Sequence, residues 1–143
     1  MNDERVLEAN KALIRRWFEE VWNQGRAEAI DELMAPDAVN HGLAADAAQP
    51  LNGPADFHPF HEVFRGAFPE IQVVVEDVIA EGDQVAARCS VRGKHSGDHL
   101  GVAASNALVE FTGIAIARIK DGKFVESWNS FDFLTMNQQI GKK

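Results

Sequence analysis

The sequence predicts one α+β domain over residues 1–143, with helices in its first half and an antiparallel sheet in its second. Apolar residues recur with the 3.6-residue period of a helix as far as Phe68, and with the period of 2 of a strand from Ile71 onward. No strand–helix–strand alternation interrupts that order, which argues against a parallel βαβ sheet. Asp121-Gly122, between two β-patterned runs, is the signature of a type I′ hairpin turn. A curved sheet wrapped around helices leaves an internal cavity.

The elements follow in order. From Val6 to Trp22 the stripe of Leu13, Ile14, Trp17, Phe18, Val21 and Trp22 predicts an amphipathic helix, and Gly25 ends it. Ala27 to Met34 makes a second, shorter helix that stops before Pro36 and folds back as a hairpin. Between Asn40 and Pro54 periodicity vanishes, so a loop over the mouth of the domain is expected. Phe57, Phe60, Phe64 and Phe68 form an aromatic stripe on a third helix, early in which Pro59 must sit unless it kinks the helix. Strands follow over Ile71–Ala80, Val85–Val91, Leu108–Ile119 and Lys123–Phe131, the first two joined antiparallel at Glu81-Gly82-Asp83. Phe133–Ile140 closes the chain as a short helix.

Composition narrows the function. With 143 residues, 45% of them hydrophobic and 25% charged, the chain is a single globular domain able to bury a substantial core. A net charge of -8 without any basic run excludes a nucleic-acid partner. The absence of an apolar leader or long apolar stretch predicts no membrane association and a cytoplasmic location. Cys89 is the only cysteine, so it forms no internal disulfide, and its place in an alternating segment predicts a buried apolar role. No phosphate-binding glycine loop, nucleophile elbow or paired-cysteine motif is present. His58 and His61 stand at i and i+3, but not as His-Glu-x-x-His, so neither metal nor cofactor is expected.

Chemistry is left to acids, histidines and shape. Phe124, Glu126, Trp128, Ser130 and Asp132 share one parity, so without a bulge Asp132 joins Trp128 on the cavity face, where desolvation raises a carboxylate's pKa toward that of a general base. Alternatively, Asp132 caps the closing helix, a role the local pattern favours. His61 is a candidate cavity-lining imidazole, and His41 either satisfies a backbone group or bonds a ligand. His95 and His99 flank Ser96-Gly97-Asp98 and are expected as solvated loop residues.

Taken as strings, Gly93–Val102, Asp121–Trp128, Asp132 and Gln138–Gly141, with Trp22–Gly25, Asn40–Gly42 and Ala67–Pro69 upstream, resemble the SnoaL-like polyketide cyclase family. That resemblance implies a cone-shaped, curved antiparallel sheet wrapped on three N-terminal helices, the nuclear transport factor 2-like (cystatin-like) α+β barrel. It also implies a homodimer formed through the sheet and an apolar small-molecule substrate in the cone. Family cyclases close a ring by intramolecular aldol condensation without metal or cofactor, with Asp132 standing at the position of their acid/base aspartate. His41, Phe60, His61, Phe64, Arg118 and Trp128 are then the expected substrate-binding residues. The strand Gly113–Ile119 offers Arg118 where the cyclases carry a histidine, and Gly101–Asn106 lacks their proline-containing turn. The barrel hosts several chemistries. An isomerase, an epoxide hydrolase using Glu126 or Asp98 as second carboxylate, and a non-catalytic small-molecule-binding protein stand as alternatives. Val125, Ser127, Asn129 and Phe131 are expected on the outer face, which suits self-association or is mostly solvated.

Overall fold

The structure, a computed structural model, describes residues 3–44 and 48–142. Its order is α1 (Glu4–Trp17), a π-helical turn (Phe18–Asn23), α2 (Glu28–Leu33), β1 (Met34–His41), β2 (Leu51–Asn52), α3 (Gly53–Ala67), β3 (Gln72–Glu81), β4 (Gln84–Lys94), β5 (Leu108–Lys120), β6 (Lys123–Phe131) and α4 (Phe133–Gln139). Of the loop expected over 40–54, residues 45–47 lie outside the described residues.

Asp3 starts α1 by accepting the Arg5 backbone N–H, and Ile14 and Trp17 carry the helix's buried face. The last turn then widens, with the Gln24 N–H reaching back to the Glu19 carbonyl. This widening presents Asn23 to the sheet. Its amide grips both backbone groups of Val73, donating to the carbonyl at 3.0 Å and accepting the N–H at 2.6 Å, which ties edge strand β3 to the helical layer. Two side chains of α3 take up carbonyls of the same turn: the His61 imidazole meets that of Val21 at 2.7 Å and Arg65 that of Trp22 at 3.1 Å. Pro59 lies inside α3, which continues through it.

The strands form one six-stranded sheet in the order β2-β1-β6-β5-β4-β3. All pairs are antiparallel except β1 with β6, which is parallel. Strand β1 is absent from the sequence-based reading, which ended a helix at Met34 and began a loop at Asn40. Its partner lies far along the chain, so no local pattern announces it; strand formation here depends on that distant pairing. The Asp121-Gly122 turn has φ of 52° and 74°, the two positive values that a type I′ hairpin requires.

Strict alternation along β5 buries Val109, Phe111, Ala115, Ala117 and Ile119 against the helices and leaves the intervening residues outside. In β6 one extra residue intervenes. Ile119 pairs with Phe124 but Arg118 pairs with Glu126, so Val125 is a bulge. Beyond it Ser127, Asn129 and Phe131 stand opposite inward-facing Ala117, Ala115 and Gly113, whereas Glu126, Trp128 and Ser130 stand opposite Arg118, Ile116 and Ile114 on the convex face. The expected parity is therefore reversed after Val125, because a one-residue slip moves every following side chain across the sheet.

Candidate functional site

Between the helices and the concave sheet lies an apolar cavity of about 60 Å³. Helix α1 and its π-helical turn contribute Trp17, Phe18 and Trp22, α3 contributes Phe57, Phe60 and Phe64, the sheet contributes Val73, Val91 and Phe111, and Ile71 joins them from just before β3. Phe131 and Phe133 close it beside Leu43. The rings meet at steep angles: Trp22 lies edge-on to Phe60 and Phe64 at 6.0 and 6.3 Å, and Trp17 edge-on to Phe57 at 5.1 Å. A second compartment of about 30 Å³ lies beyond a partition of Trp17, Phe18 and Phe57, and there Asn40 and Ser127 add polar atoms.

Those polar atoms belong to one hydrogen-bonded row on the inner face of β1 and β6. The Asn129 amide donates to the His41 carbonyl at 2.9 Å and to Ser127 Oγ at 3.0 Å. Ser127 donates to Asn40 Oδ1 at 2.8 Å, and Asn40 Nδ2 donates to the Leu51 carbonyl at 3.2 Å. The sequence-based reading placed Asn129 and Ser127 outside; only the bulge brings them in.

Asp132 does not face the cavity. Its exposed carboxylate caps α4, accepting the Thr135 N–H at 3.0 Å and the Thr135 hydroxyl at 2.6 Å. These bonds stabilise the charged form and hold its pKa below the ordinary carboxylate value, the opposite of the shift expected for a buried base. Of the expected substrate contacts, Phe60 and Phe64 line the cavity. His61 is 5% exposed, but it ties α3 to the π-helical turn, and burial lowers its pKa.

His41, Arg118 and Trp128 meet Glu126 on the convex face instead. His41 Nε2 lies 2.8 Å from the Glu126 carboxylate, Arg118 lies 3.7 Å from it and also over the Trp128 ring at 5.6 Å, and His41 stacks on Trp128. Asp98 is exposed in the loop after β4. His95, expected in solvent, is wholly buried; its Nδ1 accepts the Ser105 N–H, and its ring packs 5.6 Å from Phe68. His58 pairs with Asp31, away from His61. Burial pushes the Cys89 thiol up to about 12, which keeps it unreactive at neutral pH. Among the described residues no three His, Cys, Asp or Glu side chains converge, and no helix is long and apolar enough to cross a membrane.

The family model for SnoaL-like polyketide cyclases matches residues 12–140. Aklanonic acid methyl ester cyclase DauD of Streptomyces sp. (strain C5) is 28% identical over 132 residues, covering 91% of this chain and 80% of that protein. A SnoaL-like protein from Jannaschia sp. CCS1 superposes with a TM-score of 0.87 at 26% identity, covering 100% of this chain and 99% of that one. Wild-type IdmH from Streptomyces antibioticus superposes at 0.79 with 34% identity, covering 92% and 98%. A protein of ketosteroid isomerase-like fold from Catenulispora acidiphila DSM 44928 superposes at 0.75 with 14% identity, covering 92% and 93%, and with the sheet described above this gives the fold as nuclear transport factor 2/ketosteroid isomerase-like.

Proposed function

Because this chain belongs to the SnoaL-like polyketide cyclase family, we propose that it closes a carbon–carbon ring in an apolar polyketide-type molecule held in the aromatic cavity. The observation that carries the proposal is the cavity wall, where nine of thirteen lining side chains are Phe or Trp and the rest are aliphatic. Such a wall binds flat, conjugated rings and excludes water. The cavity is small, so Phe60, Phe64, Phe131 and Phe133, all half-buried, must part as a substrate enters.

The reaction is an intramolecular aldol condensation. A methylene flanked by two carbonyls loses a proton; the enolate carbon attacks a second carbonyl; the displaced π pair becomes an alkoxide that takes up a proton. One carbon–carbon bond forms and the formula is unchanged. Such protons are acidic enough that the protein's main contribution is to hold nucleophile and electrophile in near-attack contact, which is worth several kcal/mol. Neither metal nor cofactor enters this scheme. On a second reading Asp132 moves the proton. Its place in the chain between Phe131 and Phe133, both in the cavity wall, supports that role, and its bonds to Thr135 would then open when substrate enters. The hydrolase alternative lacks support at the wall: Glu126 is engaged on the convex face and Asp98 is exposed.

Methyl-ester polyketide analogues incubated with wild type and Asp132→Asn decide between the readings, with ring closure followed by absorbance and mass and binding by Trp17 and Trp22 fluorescence. Asparagine caps helices as well as aspartate, so the variant keeps its fold. Unchanged turnover in Asp132→Asn supports orientation alone; a loss of about 10²–10⁴-fold with binding intact assigns the proton to Asp132. Binding without turnover by wild type makes the protein a small-molecule receptor, and absence of binding sinks the cavity reading.

We also propose that the protein acts in the cytoplasm as a homodimer joined through the convex face. Ile79, Ala86, Ile116, Trp128 and His41 lie in register across five strands there, with Ile79 71% and Ile116 39% exposed. A partly exposed, largely apolar row of this kind suits a self-complementary contact.

A further inference from the structure

One polar side chain on the buried face of α1 has no partner. Asn10 shares that face with Ile14 and Trp17 and is 7% exposed, yet among the described residues its amide meets no hydrogen-bonding group. It lines instead a hollow of about 360 Å³ between the start of α1 and two hairpin turns. Asp3, Val6 and Asn10, spaced by three and four residues, present one side of the helix to this hollow. The Gly82-Asp83 turn between β3 and β4, and Ile119 with the Asp121-Gly122 turn between β5 and β6, complete it. It lies at the opposite end of β6 from Phe131 and is separate from the aromatic cavity.

Every charged side chain lining the hollow is a carboxylate. Asp3 accepts the Arg5 N–H and lies 3.4 Å from the Arg5 guanidinium, Asp83 lies 3.4 Å from Arg118, and Asp121 forms no ion pair among the described residues. Such a rim repels anions and draws cations, and a buried amide oxygen left unpaired favours a ligand with N–H donors. The carboxylates do not converge on one point, as the compact oxygen cage of a metal ion requires. Positive charges spaced along a chain suit them better, with the intervening methylenes resting on Val6 and Ile119. We propose that this hollow binds an aliphatic diamine or polyamine: one ammonium donates to Asn10 Oδ1 at the floor, and another stands among the carboxylates of the rim. The bound chain ties the start of α1 to both hairpin turns.

Calorimetric titration of the whole chain with putrescine and spermidine, beside magnesium chloride at matched ionic strength, tests it. The expected result is saturable binding of either amine, a melting temperature that rises as amine is added, and no such response to magnesium. Asn10→Leu places an apolar side chain on the buried face and should fold at least as stably, but weaken putrescine about 10-fold, the loss of one hydrogen bond from a charged donor. Asp121→Asn suits the same turn, since asparagine accepts the positive φ there, and should weaken binding about 2- to 5-fold. Glu70→Gln, exposed between α3 and β3 and away from the hollow, should leave binding unchanged. Wild-type affinity in both Asn10→Leu and Asp121→Asn overturns the proposal. An equal loss in Glu70→Gln or an equal response to magnesium also overturns it, because the effect is then general charge screening. Failure of both amines to bind wild type rejects the site and leaves the cavity reading standing.

Discussion

His61 shows how a side chain expected to meet substrate can instead serve the scaffold. Its imidazole is buried beside Trp22, and Nε2 donates to the Val21 carbonyl, so burial favours the neutral ring and lowers the pKa. The unfolded chain protonates histidine near pH 6.5, and the folded chain does so only at lower pH. The stability linked to His61 is therefore complete above about pH 6.5 and is lost as pH falls from there through the folded pKa, at no more than about 1.4 kcal/mol per pH unit. Urea midpoints measured between pH 7.5 and 5 should fall for wild type and fall less steeply for His61→Gln; parallel profiles would show that His61 does not titrate with folding. Asp132 teaches a related lesson. Its cap was legible, since Asp132 precedes Phe133–Ile140 with Thr135 in reach, but that it turns away from the cavity was not, because that depended on an unseen bulge.

Strand β6 carries the largest gap between pattern and structure. Its period of 2 was visible, as were the Asp121-Gly122 turn and the pairing with β5, but alternation alone cannot reveal where one residue is skipped. Strand β1 was illegible for another reason: its parallel partner is β6, and the sequence between Met34 and His41 carries neither a clean alternation nor a turn at its start. Helices α1 and α3 were legible because long, strongly periodic apolar stripes dictate them. The β5–β6 pair also makes a prediction. A Cβ on residue 113 would lie 2.1 Å from the Phe131 ring, so the glycine lets that ring rest flat on β5 at the edge of the cavity. Gly113→Ala should cost about 1–3 kcal/mol in urea denaturation by displacing Phe131. Adding Phe131→Leu should recover much of the loss; strictly additive effects would refute the contact as the cause.

Across the whole molecule the sheet separates two chemistries: a concave side of aromatic rings and neutral amides, and a convex side where Trp128 continues a transverse row from Ile79, Ala86 and Ile116 and where His41, Glu126 and Arg118 gather beside it. If that row joins two copies, Ile116→Glu should turn a dimer into a monomer in size-exclusion chromatography with light scattering while the circular dichroism spectrum stays unchanged. A wild type that already elutes as a monomer at high concentration rejects the convex-face dimer. Residue 125 governs which side receives which chemistry. An in-frame loss of its codon would exchange the lining and the exterior of one strand in a single event, delivering Glu126, Trp128 and Ser130 to the interior without a substitution at any of them. For a lineage diversifying its ligands, the length of β6 is thus a coarser and faster route to a new interior than point replacement, and it redraws the convex face in the same step.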